Sequence, residues 1–228
     1  MAVLLLRLAA PLQSWGAESK FETRRTFGFP TKSGVTGLLA AALGYSREEP
    51  LDRLNALRFG IRVDREGELL RDYHIAKSEK HSYITNRYYL SDAVFLAGVE
   101  SEDAAFLEEL ADALKHPAFP LFLGRRACPP TMPLVLGIRE ADLLTALQNE
   151  PWLLSGWRQK RSQESDRKLR ILTDGAAGDS VLRDVPVSFS PVQRRFTWRN
   201  VKEQGYVTAQ APDVQTEHDA FGEVAECT

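Results

Sequence analysis

The chain has 228 residues, enough for one sizeable core or two small ones sharing an interface, and its 43% hydrophobic and 26% charged content is that of an ordinary soluble globular protein. Two cysteines, Cys128 and Cys227, supply neither a disulfide framework nor a zinc site, and no stretch approaches the ~20 apolar residues of a membrane span; no metal, cofactor or membrane is expected, and the cytoplasm is the expected compartment. The net charge of −2 hides an asymmetry: all 29 Lys and Arg stand at or before Lys202 with 25 of the 31 acids, so residues 1–202 carry +4 and the remainder −6, a basic body suited to a polyanion.

Residues 3–8 read as a buried strand; Arg7 interrupts the apolar run and no charged segment precedes it, unlike a signal peptide. The exit, LQSWG at 12–16, carries Trp15, which can stack on a base or close the core. Residues 24–44, RRTFGFPTKSGVTGLLAAALG, then join a basic loop to a helix. Val35, Leu38, Leu39, Ala42 and Leu43 fall on one helical face, and Gly44 suits the left-handed position after the last turn. The free N–H groups at the helix start, with Arg24, Arg25 and Lys32 at the same end, suit a phosphate. Thr31, Ser33 and Gly34 also read as ordinary capping. A nucleotide-binding P-loop fails on its glycines, since Thr31 and Thr26 stand where that motif needs Gly.

Residues 54–63 read as a second strand, with Phe59, Ile61 and Val63 alternating against Arg58, Arg62 and Asp64, and Glu66-Gly67 as the turn after it. The stretch 71–90 mixes Arg71, Lys77, Lys80 and Arg87 with Tyr73, His74, His81, Tyr83, Tyr88 and Tyr89. Cations interleaved with flat rings suit single-stranded nucleic acid, and a solvated hairpin with edge-protecting lysines has the same composition. Residues 92–99 give a third strand. Ser101 reads as the cap of a helix whose stripe is Phe106, Leu110 and Leu114, with Lys115 and His116 at its C-terminal end and Pro117 as its stop. The loop 119–130 places Gly124 beside Arg125 and Arg126, whose planar forks match phosphate, and 134–138 can complete a sheet.

Strand, helix, strand, excursion, strand, helix, strand is the split βαβ order. The expected class is therefore α+β, with a ferredoxin-like βαββαβ core over residues 1–138. A short helix at 140–148, a basic irregular stretch at 151–170 and short strands at 181–201, ending in the cationic-aromatic run Arg194, Arg195, Phe196, Trp198 and Arg199, give an expected small C-terminal β subdomain over 139–205. The acidic, aperiodic residues 206–228 read as a mobile or loosely docked tail.

Six blocks, LQSWG (12–16), FPTKSGVTGLLAAALG (29–44), RDYH (71–74), YLSDA (89–93), LGRRACP (123–129) and DVP (184–186), resemble in sequence and order the CasD-type subunits of the type I-E CRISPR Cascade, members of the RAMP superfamily. The resemblance spans about residues 1–201. It implies a ferredoxin-like core with a protruding hairpin, a thumb, at about 71–90, capping one end of a ribonucleoprotein and gripping the 5′ handle of the CRISPR RNA. It implies contact with a backbone subunit and the large subunit, and target DNA near the thumb. Carried onto this sequence, the handle grip comprises Arg24, Arg25, Thr31, Lys32, Ser33, Gly34, Gly124, Arg125 and Arg126. His74, Lys77, Lys80, His81, Arg87 and Tyr88 lie on the thumb, while Trp15, Arg194 and Arg195 complete the expected RNA-binding set.

Related subunits of type I-C systems cut precursor RNA without a metal, and Tyr45, Lys80-His81 and Lys115-His116 offer the residue types for such a metal-independent endoribonuclease. Helix C-terminal electrostatics already accounts for Lys115-His116. The resemblance to type I-E assemblies, where a separate nuclease cuts, favours a binding subunit with no catalytic residues.

Overall fold

The computed structural model describes residues 1–16, 22–78, 82–177 and 179–209. The chain begins with β1 (Ala2–Ala9), passes through the two-residue strands β2 (Leu12–Gln13), β3 (Trp15–Gly16), β4 (Thr23–Arg24) and β5 (Thr26–Phe27), and enters α1 (Lys32–Leu43) and the single turn α2 (Asp52–Asn55). Four strands follow, β6 (Arg58–Arg65), β7 (Glu68–Lys77), β8 (Ser82–Ser91) and β9 (Val94–Ser101). Then come α3 (Ala104–Lys115), β10 (Val135–Arg139), α4 (Leu143–Asn149), α5 (Gly156–Arg161), a 3-10 turn (Glu164–Arg167), β11 (Lys168–Asp174), β12 (Ser180–Ser188) and β13 (Arg195–Thr208).

Seven strands form one sheet in the order β10-β1-β9-β6-β11-β13-β12, each neighbouring pair antiparallel. The apolar run of β1 up to Leu6 follows from burial on both faces. Leu4, Leu6 and Leu8 join the core beneath α1 and α3, whereas Val3 and Leu5 pack with Leu143 and Leu147 of α4. Each such side chain contributes roughly 1.5–3 kcal/mol relative to exposure.

Both ends of α1 close as their residue types dictate. The Thr31 hydroxyl accepts from the Gly34 N–H at 3.2 Å, and Gly44, at φ +81°, donates back to Ala40 and Ala41. The start of α3 differs from the sequence expectation. Asp103, not Ser101, is the cap, accepting from Phe106 N–H at 2.9 Å; Ser101 ends β9 and accepts from Asp103 N–H. The aspartate wins because its position reaches the third amide of the helix.

The C-terminal strands also depart from expectation. β11 pairs with β6, so residues 168–208 lengthen the main sheet. β11 begins in the stretch read as irregular, because Lys168, Arg170 and Asp174 mask the buried Leu169, Ile171 and Leu172. Residues 206–208, assigned to the tail, are the end of β13; the acidic residues 210–228 lie outside the described residues.

Between β6 and β9 the chain makes a long hairpin, paired from Glu68↔Ser91 to Lys77↔Ser82. β2 and β4 add to β8, the latter in parallel, so only the foot of the hairpin is supported. Tyr89 and Leu90 are buried there, while Tyr73, Ile75, Tyr83 and Ile84 further out are exposed.

Candidate nucleic-acid interface

The start of α1 does attract an anion, but one from within the chain. Asp184 of β12 accepts the Lys32 backbone N–H at 2.8 Å, and the same carboxylate is gripped by Arg199 of β13 through Nε at 2.7 Å and Nη2 at 2.9 Å. Arg199 Nη1 also reaches Asp174 Oδ1 at 2.8 Å; Asp174 Oδ2 accepts Lys32 Nζ at 3.0 Å and Phe59 N–H at 2.9 Å. Lys32 Nζ donates in addition to the Leu57 carbonyl. Two acids and two bases thus neutralise one another where α1, β6, β11, β12 and β13 meet.

Five sequence-derived RNA-binding residues, Lys32, Thr31, Ser33, Gly34 and Trp15, lie at this end of α1, and burial corrects the roles of Lys32, Thr31 and Trp15. Lys32 is buried with its charge paired, and Thr31 is fully buried as a cap, so neither can hold RNA phosphate. Ser33 and Gly34 are half-buried; Ser33 lies 3.3 Å from the Thr31 hydroxyl, and a Cβ on Gly34 would stand 2.8 Å from the Trp15 ring, so both also take part in the packing and capping of this turn. Trp15 itself is fully buried, its indole N–H donating to Gln13 Oε1 at 3.2 Å; no base can reach its ring. Gln13, in turn, donates to the carbonyls of Leu8 and Ala93, tying this turn to the core.

The Gly-Arg loop behaves differently. Gly124 has φ +84°, and a Cβ there would fall 1.6 Å from the Ser14 carbonyl oxygen, so only glycine fits. The loop closes through Leu123 N–H to Cys128 O at 2.7 Å and Cys128 N–H to Arg125 O at 2.8 Å. Burial pushes the Cys128 thiol up, consistent with a packing role. Arg125 turns inward as a clamp: Nη1 donates to Tyr88 O at 3.1 Å, Nη2 to Arg24 O at 2.8 Å, and the guanidinium lies 4.6 Å from the Tyr89 ring centre. That clamp gathers Arg24, Arg25 and Arg126 around the foot of the hairpin, all exposed and with no side-chain hydrogen bond or ion pair to any described residue.

The hairpin divides its own residues by the two-residue period of a strand. Arg71, Tyr73, Ile75 and Lys77 share one face with Ile84, Asn86 and Tyr88; Asp72 and His74 share the other with Thr85 and Arg87. Arg71 donates twice to Asn86 Oδ1, at 2.9 and 2.8 Å, a pairing that holds the first face flat. On the second, Arg87 Nε donates to Thr85 at 3.3 Å, and His74 Nδ1 stands 3.9 Å from Asp72. Lys80 and His81 lie outside the described residues. Arg194 and Arg195 are exposed at the β12–β13 connection, on the sheet edge opposite β10.

Sequence reading missed Asp174, Asp184 and Arg199 as the partners of α1. The signal available was DVP at 184–186, a carboxylate at the head of a turn-like dipeptide, but nothing local says that it crosses 152 residues to Lys32. Among the described residues no group of three or more His, Cys, Asp or Glu could hold a metal, and no helix is long and apolar enough to cross a membrane.

Residues 3–202 match the family described as CRISPR-associated protein (Cas_Cas5). Over 164 residues the chain is 38% identical to the CRISPR system Cascade subunit CasD of Escherichia coli (strain K12), a match covering 61% of this chain and 72% of that protein. A chain of a CRISPR RNA-guided surveillance complex superposes with a TM-score of 0.77 at 35% identity, covering 92% of both chains. Another solved structure, described as a Cas protein, gives a TM-score of 0.69 at 42% identity over 92% of this chain and 100% of that one.

Proposed function

The chain belongs to the CRISPR-associated Cas_Cas5 family, and from that membership we propose that it is a non-catalytic, RNA-binding subunit of a Cascade-type CRISPR surveillance complex. In this reading it grips the 5′ handle of the CRISPR RNA, caps one end of the backbone beside the large subunit, and acts in antiviral DNA interference in the cytoplasm.

The observation that carries the reading is the set of unpaired arginines, Arg24, Arg25 and Arg126, held by the Arg125 clamp at the foot of a long exposed hairpin. Arginine forks take phosphate, and the aromatic and β-branched side chains further out offer surfaces for splayed bases. The order β10-β1-β9-β6, with α1 and α3 as the crossovers, supports a ferredoxin-like core; residues 68–91 then serve as the thumb beside the guide and target strands. The handle grip is accordingly narrower than the sequence implies: loop arginines without the α1 start.

Against cleavage, His116 is 77% exposed and lies 3.4 Å from Asp112 on its own helix, an arrangement that serves the end of α3. Handle binding is tested by titrating the purified chain with a repeat-derived handle RNA at several salt concentrations. Arg126→Ala should weaken binding and reduce the salt slope; an unchanged slope would sink the interface. Cleavage of that RNA in EDTA, abolished by His116→Ala, would replace the binding role with the nuclease one.

A further inference from the structure

A second concave surface draws on residues 63–66, just before β7, and on residues 152–206. The ends of β6 and β13, α5, the 3-10 turn and β11 enclose a cleft of about 1020 Å³. Five cations line it, Arg65, Arg158, Arg161, Lys168 and Arg170, against the exposed Glu66 and the turn-capping Asp166; Asp64 at its floor is already committed to Arg62. Three of these cations face carboxylates of the chain at ion-pair distance, Arg65 Nη1 and Arg158 Nη2 at 3.9 and 3.7 Å from Asp92 and Arg170 Nη2 at 3.8 Å from Glu66, yet Arg65 Nη1 and Arg170 Nε are buried and make no hydrogen bond. Five cations against Asp64, Glu66 and Asp166 leave the lining net positive, and the two unbonded guanidinium nitrogens leave hydrogen-bonding capacity for an anionic oxygen.

Two flat rings stand in the same cleft. Tyr206 pairs across the strands with Arg170 and is 64% exposed; Trp157 is 57% exposed, with Arg158 and Arg161 5.2 and 5.6 Å from its ring. An acidic peptide would use the cations and leave both rings in water. A nucleotide uses both, its phosphates on the guanidinium forks and its base on a ring.

We propose that this cleft is a second binding site for single-stranded nucleic acid, distinct from the hairpin interface, with Arg170 and Arg161 taking phosphate and Tyr206 or Trp157 stacking a base. Such a site lets one strand be held both at the seven-stranded sheet and at the hairpin.

The test is photo-cross-linking of the full chain to a thiouridine-substituted oligouridylate, with the adducts located by mass spectrometry. Adducts are expected on the peptides carrying Trp157 and Tyr206. Tyr206→Ala and Arg161→Ala should each reduce them about tenfold, in the range of one lost base stack or phosphate contact. Arg126→Ala should leave these adducts unchanged while removing those at the hairpin foot, so failure at one site is distinguishable from failure at the other. Adducts confined to the hairpin and its loops would overturn the proposal, as would protection of Lys168 from acetylation by inorganic polyphosphate but not by the oligouridylate. A carbodiimide cross-link between Lys168 and an acid of residues 210–228, undiminished by excess oligouridylate, would assign the cleft to the acidic end of the chain instead.

Discussion

The backbone N–H of Lys32 donates to Asp184 Oδ2 at 2.8 Å, so the first turn of α1 takes its anion from β12 of the same chain. Asp184 is 1% exposed and also carries both bonds from Arg199. Removing one partner of a buried pair leaves the other charge uncompensated, at a cost of about 3–5 kcal/mol. Asp184→Ala should therefore lower unfolding stability by about that much in a denaturant titration, with the m-value unchanged. Asp184→Asn, which keeps an acceptor for Lys32 N–H, should cost less. An Asp184→Ala protein as stable as the parent would refute the internal role.

Much of the architecture was legible because periodicity is local. The apolar run of β1, the stripe Val35, Leu38, Leu39 and Ala42, and the glycine after α1 needed no knowledge of distant residues. β11 was hidden because its charges interrupt an apolar pattern that only the neighbouring β6 and β13 complete. The site was half legible for the same reason. Sequence placed cations near Arg24 and Arg125, yet which were spent inside the protein depended on partners more than a hundred residues away: Asp174 and Asp184 for Lys32, the Arg24 carbonyl for Arg125. For Trp15 the sequence leaves base stacking and core closure open, and its burial depends on the close approach of Gly34 in α1 to its ring.

Lys32 and Arg126 should consequently separate in one experiment. Lys32→Ala breaks a pair whose side chains are only 10% and 21% exposed, so it should lower stability and leave the salt dependence of RNA binding intact. Arg24→Ala and Arg126→Ala should do the reverse, each reducing the slope of log K against log salt by roughly 0.7–1 while leaving the melting curve unchanged. Thermal melts and salt titrations on the same three preparations check both halves.

Gly124→Ala tests the Gly-Arg loop. The added methyl meets the Ser14 carbonyl at 1.6 Å from a backbone at φ +84°, and that carbonyl belongs to the turn carrying buried Trp15. Strain and displacement together should cost at least ~3 kcal/mol. Gly28→Ala, where a Cβ meets nothing within 4 Å, should change stability by no more than ~0.5 kcal/mol. Equal melting temperatures for the two variants would contradict the close approach.

Asp142 makes the stability of the α4 cap depend on pH. It caps α4, accepting Thr145 O–H at 2.6 Å and Thr145 N–H at 3.1 Å, and those two bonds, the hydroxyl's first, hold its carboxyl below the usual carboxylate range. A pKa lowered in the folded state means that the unfolded chain binds the proton more readily. The contribution is therefore fully present above the ordinary value near pH ~4 and is lost as pH falls through the folded value. Because Asp142 is exposed, solvent screening keeps the effect within the ~0.5–1 kcal/mol of an ordinary cap. Asp142→Ala should thus destabilise the protein at neutral pH, and the difference from the parent should shrink as urea titrations move below pH ~4. Asp142→Asn keeps the cap without the titration, so it should stay close to the parent at neutral pH and lose no cap stability on acidification. A difference between parent and Asp142→Ala that stays constant across that range would show that the carboxylate's charge plays no part in the cap.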